Sequence, residues 1–111
     1  MKTILNTIIS FIILSNLYAQ DDKQITIKIQ GNCNMCKSRI EKALNIPEVK
    51  YASWNKRSKN LKIIFSSTIT LDSLEKRIAL SGHDTPNYQA PDSIYNTLPE
   101  CCLYRTNKKN H

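Results

Sequence analysis

The stretch Gly31-Asn32-Cys33-Asn34-Met35-Cys36 decides the reading of this chain, because of what lies on either side of it. Upstream, Ile25, Ile27 and Ile29 alternate with Thr26, Lys28 and Gln30, the period-two pattern of a half-buried strand. Downstream, Cys36, Ile40, Ala43 and Leu44 recur at i, i+4, i+7 and i+8 and mark one face of a helix. The Cys-x-x-Cys therefore sits in the turn that enters the helix. Unpaired backbone N–H groups and the positive dipole end gather there and favour thiolate over thiol. Lys37 and Arg39 add positive charge nearby. Two such thiolates can converge on one soft cation. On these residues alone the motif is a metal-binding or a redox site, and neither cysteine is expected to carry the core.

The chain of 111 residues opens with Lys2, an apolar stretch from Ile4 to Leu17 and then Tyr18-Ala19-Gln20-Asp21-Asp22. A basic start, a short apolar middle and a small residue before a polar shift describe a secretory signal peptide, with cleavage expected after Ala19. The stretch is short for a membrane span and is broken by Asn6 and Asn16, so no stable insertion is expected after cleavage. An uncleaved N-terminal anchor is the alternative. About 92 residues remain, enough for one small domain. The formal charge is +7, and it falls to +6 when Lys2 leaves. Lys37, Arg39, Lys42, Lys56, Arg57 and Lys59 are scattered, which fits a solvated face or docking to an acidic partner. Nucleic acid is not expected as a partner of an exported protein.

Four cysteines are an even number and permit two disulfides in any of three connectivities. The spacing speaks against a plain staple. Cys33 and Cys36 close too short a loop to stabilise much, and a bridge between the adjacent Cys101 and Cys102 would be strained.

Further along, Val49 to Trp54 reads as a second strand with imperfect alternation, which suggests a bulge or a strand packed on both faces. Asn55 to Asn60 is a polar hairpin loop, and Leu61, Ile63 and Phe65 alternate in a third strand. Thr70 is suited to cap a second helix whose buried stripe is Leu71, Leu74, Ile78 and Ala79, with Gly82 ending it. A short edge strand is expected from His83 to about Ala90, and a further helical turn within Asp92 to Leu98. The fold class is then α+β, a ferredoxin-like βαββαβ sandwich with an antiparallel sheet and both helices on one face. Thr106 to His111 is a polar end.

Strand, Gly-x-Cys-x-x-Cys and helix, followed by Arg39-Ile40-Glu41-Lys42-Ala43-Leu44, closely resemble the heavy-metal-associated domain. That family includes copper chaperones, modules of metal-transporting P-type ATPases and the periplasmic mercury-binding protein. The resemblance covers about residues 24 to 90, and Val49, Leu61-Lys62-Ile63-Ile64-Phe65 and Ser81-Gly82 also fit it. It implies that Cys33 and Cys36 each give one thiolate to Cu(I) or Hg(II) in near-linear coordination. Two positions depart from the family. Gly31-Asn32 stands where Met-Thr is frequent, and without that Met packing beneath it the binding loop is expected to be looser. His83 stands where an aromatic commonly covers the site, and some members use a His there as a further ligand. With His83, three-coordinate Cu(I) is expected, or Zn(II) where a fourth donor arrives. The other reading of His83 is a surface residue in a capping turn.

The organisation expected is a signal peptide over 1–19, a heavy-metal-associated domain over 20–90 and a cysteine-containing tail over 91–111. The tail resembles that of small secreted relatives in which paired cysteines follow Leu-Pro. Cys101 and Cys102 are candidates to join the metal site, to form a disulfide with the motif, or to pin the tail elsewhere.

The competing classes are weaker. A thioredoxin-type oxidoreductase needs a parallel sheet and usually a proline inside the motif, where Asn34-Met35 stands, so a thiol–disulfide redox protein is the alternative. Leu61 to Phe65 lacks the Gly and aromatic pattern with which this fold order stacks RNA bases. Met35 is expected to face outward rather than to ligate, and Trp54, Tyr51 and Phe65 to serve the core and sheet faces. With no nucleophile–base set or phosphate loop, no enzyme is expected. The expectation is a periplasmic carrier that binds Cu(I) or Hg(II), with Zn(II) and Cd(II) also accepted, and serves a membrane metal transporter or efflux system.

Overall fold

In a computed structural model that describes residues 21–105, these patterns become seven elements. They are β1 (Asp22–Lys28), α1 (Asn34–Ala43), β2 (Val49–Trp54), β3 (Asn60–Ser66), α2 (Leu71–Leu80), α3 (Asp92–Tyr95) and a 3-10 turn (Glu100–Cys102). The signal segment expected over 1–19 and the polar end from Thr106 lie outside the described residues. Among the described residues no helix is long and apolar enough to cross a membrane.

The sheet runs β1-β3-β2 and is antiparallel throughout. Its register sets Ile25 opposite Ile63 and Ile27 opposite Leu61, with Ala52 and Trp54 facing the same two residues from β2. That face is covered by α1 through Cys36 and Ile40 and by α2 through Leu74 and Ile78, in one continuous core. Burying each such Leu, Ile or Phe stabilises by roughly 1.5–3 kcal/mol. Thr26 and Lys62 pair on the opposite, exposed face. The broken alternation of β2 is a bulge, with the register shifting between Val49 and Tyr51. The shift keeps Val49 and Ala52 against the core and leaves Tyr51 on the outside.

Helix α2 begins and ends as its sequence dictates. Thr70 Oγ1 accepts from the Ser73 N–H at 3.2 Å, and Asp72 lies in the first turn. At its other end Gly82 takes φ 111°, a left-handed conformation that glycine adopts at little cost. A Cβ there would also stand 2.7 Å from Leu98 Cδ2, so the tail packs directly on the cap.

The edge strand expected from His83 to about Ala90 does not form among the described residues. One backbone bond remains of it, from the Gln30 N–H to the Asp84 carbonyl at 3.1 Å. Pro86 has no N–H to give a ladder. The chain turns back on itself instead, with the Thr85 N–H bonded to the Tyr88 carbonyl at 2.8 Å. The Asp84 carboxylate accepts from the Ala90 N–H at 2.7 Å and closes the loop. Glu75, fully buried on α2, is satisfied by the same segment through the backbone N–H and side-chain amide of Asn87.

Beyond Ala90 the tail belongs to the same core, contributing Tyr95, Leu98, Cys102 and Tyr104. Arg105 fastens it. Its guanidinium lies 4.2 Å from the centre of the Tyr95 ring, pairs with both Asp84 oxygens at 2.6 and 3.1 Å, and donates to the Ala90 carbonyl. Burial pushes the Asp84 carboxyl up, but Arg105 outweighs it and holds the group below the usual carboxylate range. Stability from this pair is therefore complete above the ordinary carboxylate pKa and is lost as pH falls below it. Arg105→Ala should cost about 2 kcal/mol, the order expected for charged hydrogen bonds. A urea midpoint at pH 7 unchanged by the substitution would contradict this role for the clamp.

Candidate metal centre

Cys33 is the extended residue that caps α1, and Cys36 is the third residue of its first turn. That geometry turns both side chains toward one point, and their sulfurs lie 3.3 Å apart. The backbone N–H of Asn32 donates to Cys36 Sγ at 3.4 Å. Cys36 has no exposed surface and is part of the core, contrary to the expectation that neither cysteine carries it. The helical stripe explains why: Cys36 heads the buried row that continues with Ile40 and Leu44.

The loop that carries the motif is braced rather than loose. A Cβ on Gly31 would stand 3.0 Å from Cys36 Cβ and 3.0 Å from Trp54 Cη2, so the indole fills the space beneath the loop. Trp54 Nε1 donates to the Ile29 carbonyl at 3.0 Å, and the Lys59 ammonium to the Gly31 carbonyl. Glu41, paired with Lys37, accepts from the Trp54 N–H at 2.9 Å and ties α1 to β2. An aromatic from β2 packs beneath the loop, which is therefore not left loose by the absence of a Met there.

The tail cysteines reach the motif. Cys102 Sγ lies 3.3 Å from Cys33 Sγ, and the donor atoms of Cys33, Cys36 and Cys102 are all within 4.8 Å of one another. Cys101 Sγ is 3.4 Å from Cys33 Sγ and 3.9 Å from Cys102 Sγ, but its side chain stays exposed beside Met35, whose sulfur is 3.5 Å away. All four cysteines are free thiols. Arg39 Nη1 donates to Cys102 Sγ at 3.3 Å.

Their acidities differ with their surroundings. Burial raises the Cys33 thiol, but the nearby N–H of Cys36 and the thiols of Cys102, Cys36 and Cys101 outweigh it and bring it down to about 7. No capping bond forms to the Cys33 sulfur, so the pull of the backbone is the field of the helix start rather than a completed hydrogen bond. Burial pushes the Cys102 thiol well up, with Cys36 and Cys33 adding to it and Arg39 opposing. Near neutral pH Cys33 thus gives up its proton far more readily than Cys102.

His83 is neither at the surface nor in the three-sulfur set. It is fully buried, stacks on Tyr104 at 5.6 Å and bonds through Nδ1 to the Gln30 carbonyl at 2.7 Å. Because a carbonyl only accepts, Nδ1 carries the hydrogen and Nε2 is the acceptor. Nε2 is buried without a hydrogen-bond partner among the described residues. The ring thereby braces the chain just before the binding loop.

The part played by Trp54 and by the Tyr95–Tyr104–Arg105 clamp is not legible in the sequence, and Arg39, expected only to add positive charge near the motif, bonds directly to Cys102. For Arg39 a signal was present: it stands three residues after Cys36, on the same side of α1.

The fold is that of small metal-handling modules. The structure matches one described as "CopZ metallochaperone" with 26% identity and a TM-score of 0.54, over 57% of this chain and 98% of that one. It also matches the water-soluble region of the P-type ATPase CopA from Bacillus subtilis, at 24% identity and TM-score 0.55, over 60% of this chain and 46% of that one. A third match, "CsoZ metallochaperone", has 22% identity and TM-score 0.53, over 59% of this chain and 97% of that one. Scans against protein-family models and curated proteins return no match. The shared region ends short of this chain's whole length, and the α+β class with its antiparallel sheet and paired helices is common to all three.

Proposed function

We propose that this protein is an exported carrier of a soft, thiophilic metal ion, Cu(I) first and Hg(II) next, and not an enzyme. The observation that carries the reading is the convergence of Cys33, Cys36 and Cys102 within 4.8 Å at the start of a helix. Thiolates at that spacing suit ions that prefer sulfur and low coordination number. The likeness to a metallochaperone at 26% identity supports a role in carrying a metal ion. Cys33, half exposed and acidified, takes the ion, and the buried Cys36 holds it. Release runs by exchange, an incoming thiolate of a periplasmic or membrane transporter displacing the chain's sulfurs one at a time.

The test is a competition titration of the reduced protein with Cu(I), Hg(II), Zn(II) and Cd(II), with native mass spectrometry to count bound ions. One Cu(I) or Hg(II) per chain, retained against excess Zn(II), is the expected result. A protein that binds no soft ion stoichiometrically, yet cycles between dithiol and disulfide with a glutathione buffer, would be a redox protein instead. The lowered Cys33 thiol supports that second reading.

A further inference from the structure

We propose that the tail converts a two-sulfur site into a three-sulfur site, with Cys102 as the resident third ligand and Arg39 as the residue that positions it. The inference rests on the soft-ion reading and deepens it by specifying the coordination. Cys102 is 69 positions from Cys33 in sequence, yet its sulfur is as close to Cys33 Sγ as Cys36 Sγ is, 3.3 Å in each case. Its neighbour Cys101 also approaches Cys33 Sγ, at 3.4 Å, but from the exposed rim, whereas Cys102 has no exposed surface and is the one whose sulfur lies within 4.8 Å of both Cys33 and Cys36.

The placement is built, and by several independent ties. The Cys102 N–H bonds to the Pro99 carbonyl at 2.8 Å, and the Tyr104 N–H to the Cys102 carbonyl at 2.8 Å. Tyr104 then donates its hydroxyl to the Gly82 carbonyl at 2.8 Å and receives the Asp84 N–H at 2.9 Å. Together with the Arg105–Asp84 pair, these bonds hold the turn against the loop that follows α2.

Arg39 completes the arrangement. It comes from α1, the helix that presents Cys33 and Cys36, and its guanidinium donates to the sulfur of the third cysteine. Three thiolates around a monovalent or divalent ion leave a net negative charge in a partly buried place, which one fixed guanidinium reduces. A hydrogen bond from Arg39 also orients the Cys102 sulfur, the office that outer-shell donors perform at metal sites. The cargo class this selects is a soft d10 ion able to take trigonal sulfur coordination.

The experiment loads the reduced protein with one equivalent of Cu(I). X-ray absorption counts the sulfurs, and competition with a chromogenic Cu(I) chelator reads affinity. Wild type should show three sulfurs, and Cys102→Ala two, with circular dichroism confirming that the variant is folded. Arg39→Ala should lower affinity by about tenfold, the lower end of what outer-shell losses cost, and reduce the average sulfur count. Arg39→Lys, which keeps a charged donor, should restore much of both, whereas a merely structural arginine would change the melting temperature and leave the count at three. If Cys102→Ala does not fold, Cys102→Ser and Arg39→Ala carry the same count. Two sulfurs in the wild type would overturn the inference and leave a two-cysteine carrier standing. So would a count that drops to two only when Cys101 is removed as well, which would give the third place to Cys101. A wild-type protein that binds no Cu(I) would overturn both the inference and the function it rests on.

Discussion

Cys33→Ser combined with Cys36→Ala is expected to lower Cu(I) affinity by roughly a thousandfold or more, about 4 kcal/mol in binding free energy. Serine's hydroxyl stays protonated at neutral pH and is a hard donor, so it replaces neither the charge nor the softness of the Cys33 thiolate. Alanine is the better choice at position 36 because Cys36 has no exposed surface, and a serine hydroxyl there would be buried among Ile40, Trp54 and their neighbours. Even so, the lost sulfur should cost about 1–2 kcal/mol of stability, since a buried Cys packs as a small apolar side chain. Affinity is measured by chelator competition, and the fold by circular dichroism and urea unfolding. A folded double variant that holds Cu(I) as tightly as the wild type would remove Cys33 and Cys36 from the site.

The readable part of this molecule was its local chemistry. Alternation in Ile25 to Ile29 and Leu61 to Phe65, the stripe Cys36–Ile40–Leu44 and the Thr70 and Gly82 caps each act through neighbours in sequence. All of them appear where they were expected. What sequence could not weigh was competition over distance. The segment from His83 had to choose between extending beside β1 and meeting the tail. Pro86 already weakens the strand, and the turned-back form is the one tied by Arg105, 21 residues from Asp84, and by Tyr104, whose hydroxyl takes the Asp84 N–H. Sequence makes Cys101 and Cys102 equal candidates for the metal site, and only the turn after Pro99, folded back on α1, buries Cys102 in it and sets its sulfur against Arg39. The bracing of the loop by Trp54 is of the same kind, because the indole enters from the next strand rather than from the motif.

His83 should make the protein acid-labile in a window that lies above the one set by Asp84. In the folded chain burial drives the imidazole down to about 4, with the Gln30 carbonyl and Asp84 pulling it up and Arg39 pushing it further down. In the unfolded chain it titrates near its ordinary value of about 6.5. Between those two values the unfolded state binds the extra proton, so stability must rise with pH across the window. Expressed downward, stability is complete above about pH 6.5, declines as pH falls, and loses nothing more from this residue below about pH 4. The loss between pH 7 and pH 4.5 should be roughly 2–3 kcal/mol, a large fraction of the total for a small domain. Asp84, held below the usual carboxylate range, begins to contribute only at lower pH. Urea unfolding of the reduced, metal-free protein across pH 4.5–7 separates the two, with His83→Gln as the comparison. The variant starts from lower stability because it loses the stacking on Tyr104, but its curve should be nearly flat where the wild type slopes. Parallel slopes in the two proteins would assign the acid sensitivity to another group. Protonating the ring charges a buried side chain bonded to the residue before Gly31, so the first structure to loosen should be the loop that presents Cys33.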